Sequence, residues 1–156
     1  MAKNTIKIKK YSDVVEELVA NAIITPGHLV EVMSTGKARV HATAGGNALP
    51  MFALEDEMQG NGIDTDYAAD APVQVWIPYR GDMVYALLKD GQNVAVGDFL
   101  ESAGDGTLQK HVADLADSDD AITVLSNQII GVAVEAVDMS DSTGADPDGR
   151  IIVRII

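Results

Sequence analysis

The stretch Asp90-Gly-Gln-Asn-Val-Ala-Val-Gly-Asp-Phe-Leu-Glu-Ser-Ala-Gly-Asp-Gly-Thr-Leu-Gln-Lys110 decides how this chain is read. It alternates turn and strand three times. Asp90-Gly91, Gly97-Asp98 and Asp105-Gly106 are turn signals, because Gly and Asp tolerate the positive φ that tight turns require. Val94, Val96, Phe99, Leu100 and Leu108 supply apolar strand faces. Short strands joined this tightly predict a compact β-scaffold whose function lies in its surfaces.

Outward from this phrase the same grammar continues. His28–Met33 and Ala38–Ala42 read as the arms of a hairpin around Ser34-Thr-Gly-Lys37. Ala44-Gly-Gly-Asn47 is a turn, and a short strand is expected between Leu49 and Leu54, interrupted by Pro50. Val73–Ile77, Met83–Leu88, Ile122–Leu125, Ile129–Val137 and Arg150–Ile156 read as further strands. Nine or ten short strands at hairpin-like spacing predict a mainly β protein, a small β-barrel or β-sandwich. One helix is expected near the N-terminus. Ser12 stands as a cap, acids occupy 13, 16 and 17, and apolar residues recur at 14, 15, 18, 19, 22 and 23. Their β-branched content leaves a strand open there.

The 156 residues are enough for one domain with a substantial core, here residues 13–156 preceded by an arm over residues 1–12. Apolar residues make up 47% and aromatics only 4%, with Trp76 the sole tryptophan, so the core is built of Val, Ile, Leu and Ala. With no cysteine, disulfides, thiolate catalysis and Cys-type zinc sites are excluded. No apolar run has the length of a membrane span, and no signal-type apolar region follows the first lysines. A soluble protein made in the cytoplasm is expected, with no membrane partner.

Charge is divided sharply along the chain. Lys3, Lys7, Lys9 and Lys10 give residues 1–10 a charge of +4, whereas the rest holds seven basic and 24 acidic groups, a net −17. An acidic body is repelled by nucleic acid, so no direct nucleic-acid partner is expected. Thr5-Ile6-Lys7-Ile8-Lys9 alternates with the period of a half-buried strand. Such a strand adds to a partner's sheet edge or pairs within its own domain.

No reactive constellation emerges. His28, His41 and His111 lack metal-ligand spacing, and no nucleophile elbow or phosphate-binding glycine loop is present. Gly144-Ala-Asp146-Pro-Asp148-Gly149 resembles part of a calcium loop. Aligned on Gly149, it places Gly144 and Ile155 where oxygen donors belong, so the match fails. No metal and no cofactor are expected. Two acidic loops stand out, residues 55–72 and Asp114–Asp120; the first is long enough to be functional.

In order along the chain, Ile24-Thr-Pro-Gly-His-Leu-Val-Glu31, Ala44-Gly-Gly-Asn47, Phe52-Ala-Leu-Glu55, Ile63-Asp-Thr-Asp-Tyr67, Gly91–Gly106 and Gly131-Val-Ala-Val-Glu-Ala136 resemble phrases of tailed-bacteriophage head decoration (cement) proteins, those of Chi-like siphophages among them. The resemblance covers most of residues 24–156. It implies a non-enzymatic β-rich virion protein on the outer capsid surface, made in the host bacterial cytoplasm. It further implies homotrimers on the major capsid protein of the expanded head, stabilising it against packaged DNA. In such proteins an N-terminal arm often crosses the lattice. Lys3, Thr5, Ile6, Lys7, Ile8, Lys9 and Lys10 are the capsid-binding residues expected on that basis. Two other readings compete. Val94–Leu100 resembles the strand-turn phrase of lipoyl- or biotinyl-carrier modules, with Lys89 the residue to be modified. An enzyme would instead use the acidic loop 55–72.

Overall fold

The computed structural model describes residues 3–11, 13–113, 125–141 and 149–156. The expected Ser12 cap, the acidic run Asp114–Asp120, residues 122–124 of an expected strand and the calcium-like residues 144–148 lie outside the described residues.

The described residues form thirteen short strands and one 3-10 turn, Glu57–Gln59. In chain order the first six are β1 (Lys7–Lys9), β2 (Val15–Val19), β3 (Val30–Val32), β4 (Ala38–Val40), β5 (Phe52–Ala53) and β6 (Pro72–Trp76). The rest are β7 (Met83–Leu88), β8 (Asn93–Val94), β9 (Phe99–Ser102), β10 (Leu108–Lys110), β11 (Ile129–Ala133), β12 (Val137–Asp138) and β13 (Gly149–Ile155).

Five of these close into a barrel in the order β7-β10-β9-β11-β13, with β13 returning to β7. Five strands cannot alternate direction all the way round a ring. One neighbouring pair must run parallel, and it is β10 with β7, through Leu108 and Leu88. The seam opposite is long and antiparallel, from Gly149↔Leu88 to Arg154↔Met83. Val84, Ala86, Leu88, Leu100, Leu108, Ile130, Ile151 and Val153 fill the interior. Each such aliphatic side chain larger than Ala contributes roughly 1.5–3 kcal/mol by leaving water.

The turns of the opening phrase form as its sequence predicts, and Val94, Leu100 and Leu108 are buried, but Val96 lies outside every strand and both it and Phe99 are exposed. Gly91, Gly97 and Gly106 take φ of 78°, 92° and 84°. β9 and β10 form the hairpin around Asp105-Gly106, while β8 leaves the barrel and pairs with β12. The β3–β4 hairpin is also present, in the register Val30↔Val40 to Val32↔Ala38.

A second layer packs beside the barrel. β2, β6 and β5 form an antiparallel sheet in that order, and Ile24, Val30, Met51, Tyr67, Val73 and Val75 make its core. Phe52 and Trp76 face the barrel cluster and join the two layers.

The expected N-terminal helix is not formed; β2 occupies its place, and no α-helix occurs among the described residues. β2 pairs with β6 at every position from Val15↔Trp76 to Val19↔Pro72. Two physical reasons favour the strand. The segment is rich in Val and Ile, which lose side-chain freedom in a helix. Its apolar positions also do not share one buried helical face: Val14, Val15, Val19 and Ile23 are exposed, while Leu18, Ala20 and Ile24 pack in the second cluster. Satisfying the backbone of β6 outweighs the helical spacing.

Candidate functional site

The residues expected to bind a capsid lie on the barrel of their own chain. β1 pairs antiparallel with β7, Lys7↔Val84 and Lys9↔Met83, with a bulge between them that breaks the strict alternation of the sequence. Ile6 is fully buried in the barrel cluster. Its N–H donates to Glu55 at 3.1 and 3.3 Å, and its C=O accepts the N–H of Tyr85 at 2.8 Å. Ile8 is half-buried. Thr5 and Lys7 line a cleft of about 120 Å3 with Leu54, Glu55, Glu57, Met58 and Gln74. The other edge of β1 bears no strand among the described residues.

The arm lysines are held locally. Lys3 Nζ lies 3.1 Å from Glu135 and 5.0 Å above the Tyr85 ring. Glu135 in turn accepts the N–H of Ile152 at 2.8 Å. Lys7 and Lys10 both reach Asp13, at 2.6 and 2.7 Å, and Lys7 lies over the Trp76 ring at 5.8 Å. These two ammonium groups, Lys10 foremost, hold the Asp13 carboxyl down at about 2. Lys9 forms no ion pair with a described residue and lies 5.7 Å from the Tyr11 ring.

A second buried carboxylate anchors the end of the arm. Asp82 is fully buried and accepts the N–H of Tyr11 at 2.5 Å through Oδ1 and that of Tyr79 at 2.6 Å through Oδ2. The turn carrying it is tied to the C-terminal strand, with Gly81 N–H donating to Ile155 C=O at 2.8 Å. The sequence reading missed Asp82. Its signal was an acid three residues after Tyr79 in the tight Tyr79-Arg-Gly-Asp82 turn, where an aspartate accepts from its own backbone.

His41 anchors the loop Ala44–Asn47. His41 Nε2 lies 3.1 Å from the C=O of Asn47. A carbonyl only accepts, so Nε2 carries the proton and Nδ1 accepts from Ser102 Oγ at 2.7 Å. Ser102 Oγ also accepts the N–H of Gly104 at 3.1 Å. Glu31 lies 3.8 Å from Nε2, giving a Ser–His–Glu alignment. Ser102 is fully buried and His41 nearly so, so no substrate reaches this hydroxyl. Beside it, buried Glu101 accepts from Gln109, Gln128 and His111, the last at 2.5 Å. His28 takes another path, its Nδ1 accepting the N–H of Thr25 at 3.0 Å.

The acids of residues 55–72 are dispersed over separate structural duties. Asp56 caps the 3-10 turn through Gln59, Asp64 meets Arg150 at 3.4 Å, Asp66 accepts from Thr25 at 2.7 Å and Asp70 pairs with Lys37 at 2.6 Å. Ile63 and Tyr67 are buried beneath them; Tyr67 donates to Leu54 C=O at 2.9 Å, and burial pushes its phenol up to about 12. Among the described residues no three of His, Asp and Glu gather to hold a metal ion. Lys89, the expected carrier lysine, follows β7, its N–H donates to Leu108 C=O and its Nζ lies 3.6 Å from Asp105. No helix of the described residues is long and apolar enough to cross a membrane. No protein-family model and no curated protein matches the chain.

Proposed function

We propose that this chain is a structural virion protein that binds the outer surface of the expanded phage capsid as trimers and stabilises the head, without enzymatic activity or cofactor. The observation that carries the reading is where the phage-like phrases fall. They are the joints of the scaffold. Thr25-Pro-Gly27 is the turn into β3, Ala44–Asn47 the loop over Glu101, Gly91–Gly106 the β8–β9–β10 run, and Gly131–Ala136 the strand β11 and its bend. Residues at such joints fix the shape of the scaffold, which suits a protein whose task is to be rigid and present in many copies.

Two further observations support it. The polar groups that invite an enzymatic reading are consumed in holding loops: Ser102 and His41 beneath Ala44–Asn47, the acids of 55–72 on Thr25, Lys37, Arg150 and the 3-10 turn. The net charge of −13 also keeps a coated particle dispersed. Weak contacts made by each of three linked subunits add through effective concentration, so no single deep pocket is required.

Co-sedimentation with undecorated expanded heads, with unexpanded proheads as control, tests the reading. Saturable binding to expanded heads at a fixed ratio per capsid subunit is the expected result. Absence of binding to cognate expanded heads overturns it.

A further inference from the structure

The cations of this acidic chain are not distributed evenly between paired and unpaired. Among the described residues, Lys9, Arg80 and Arg154 form no ion pair, whereas every other lysine and arginine reaches a carboxylate. The three unpaired cations are exposed and sit at one end of the barrel. Lys9 and Arg154 both pair with Met83, one from each side, in a row across β1, β7 and β13. Two ladder steps separate them, about 10 Å. Arg80 lies in the turn whose Gly81 is bonded to Ile155, the neighbour of Arg154.

Aromatic side chains crown the same end. Asp82 draws the backbones of Tyr11 and Tyr79 together, yet leaves their rings 72% and 67% exposed as whole residues. Ile156 is exposed and lines a cavity with Arg80. The carboxylate that organises this cluster is fully buried and spent on two N–H groups, and Asp13 is taken by Lys7 and Lys10. The result is a tyrosine- and arginine-rich surface held by a rigid turn on a body of opposite charge. Tyr and Arg are the side chains that concentrate binding energy at protein interfaces, since they bring large contact area and fixed donors.

We infer that Tyr11, Tyr79, Arg80 and Arg154, with Lys9, form the docking patch through which the chain meets an acidic face of the capsid protein; this rests on the cement reading above. Charge decides the partner's chemistry: unpaired cations on a −13 protein favour a surface rich in carboxylates. Nucleic acid is disfavoured, because three cations neutralise few phosphates and the acidic body repels the rest.

The test compares wild type with the R80E/R154E variant in binding to expanded heads. K37E/K89E, which changes net charge equally at a distance from the patch, serves as control. The patch variant is expected to bind at least tenfold more weakly and the control like wild type, with thermal melts showing all three folded. Wild-type affinity is expected to fall with added salt more steeply than that of the patch variant. Equal binding by the patch variant overturns the patch and leaves the cement reading standing. Failure of wild type itself to bind overturns both. A patch variant that loses self-association but binds heads as tightly per chain assigns the surface to a second copy of this chain and overturns capsid docking.

Discussion

The backbone N–H of Ile6 donates to both carboxylate oxygens of Glu55, 49 residues away in sequence. Both residues are buried, so an element that looks in the sequence like a free basic tail is fastened at its centre by a charge-assisted bond inside the protein.

Glu55→Leu is expected to destabilise the fold by about 1–3 kcal/mol, since it strands a buried N–H without a partner. Glu55→Gln retains an acceptor and is expected to cost less. Urea unfolding followed by Trp76 fluorescence measures both. Limited trypsin digestion gives an independent readout, because Lys7, Lys9 and Lys10 become accessible if the strand loosens. Equal stability of Glu55→Leu and wild type would show that the bond contributes nothing.

Truncation of residues 1–10 is expected to lower stability as well as alter binding. It removes Ile6 from the barrel core, and large-to-small changes at such positions cost about 2–5 kcal/mol. Ile6→Ala reports the core contribution alone. A truncated chain with an unchanged urea midpoint would place the strand outside the cooperative fold.

Gly131→Ala is expected to cost about 1–3 kcal/mol or more through overpacking. A Cβ there meets the Arg154 C=O and a Val153 methyl, each at 2.5 Å, at the β11–β13 pairing. Gly62→Ala, which meets nothing within 4 Å, is the matched control and is expected to be near neutral. Similar melting temperatures for the two variants would refute the close approach.

Acid should weaken the tie between arm and body. The folded value of Asp13, about 2, lies below its ordinary 3.8, because Lys10 and Lys7 donate to the ionised form. A folded value below the unfolded one means the unfolded chain takes the proton first. The contribution is complete above the unfolded value and is lost as pH falls from there to about 2. Asp98, lowered by Lys110 and the Ala95 N–H, moves in the same direction. Carboxyl titration by NMR is expected to place Asp13 near 2, and Lys10→Met to move it upward; an unmoved midpoint would dismiss the pair.

Much of the barrel was legible because its signals are local. Met83–Leu88, the Asp90–Lys110 turns and the β3–β4 hairpin each carry their own alternation and punctuation, so their positions follow from neighbouring residues. Val14–Ile24 was misread because helical spacing is also local, whereas the edge of β6 that captures it lies 53 residues further on. The closure of β10 against β7 left no mark in either strand. Among the residues expected to bind, the lysines were conspicuous by charge, but Tyr79, Arg80 and Arg154 became a surface only once Gly81 met Ile155 and Lys9 and Arg154 met Met83.

The ring is closed by two strands far apart in sequence. β7 lies near the middle of the sequence, yet its long antiparallel partner is β13, the final strand. A ribosome that has released β7 still has to deliver β13 before Val84 and Ala86 find their permanent neighbours. The barrel closes only when these two distant segments meet, and contacts so far apart in sequence make folding slow relative to a helical protein of this size. Any fusion or tag that delays release of residues 149–156 is expected to lengthen that exposed interval, with misassembly during synthesis as its visible outcome.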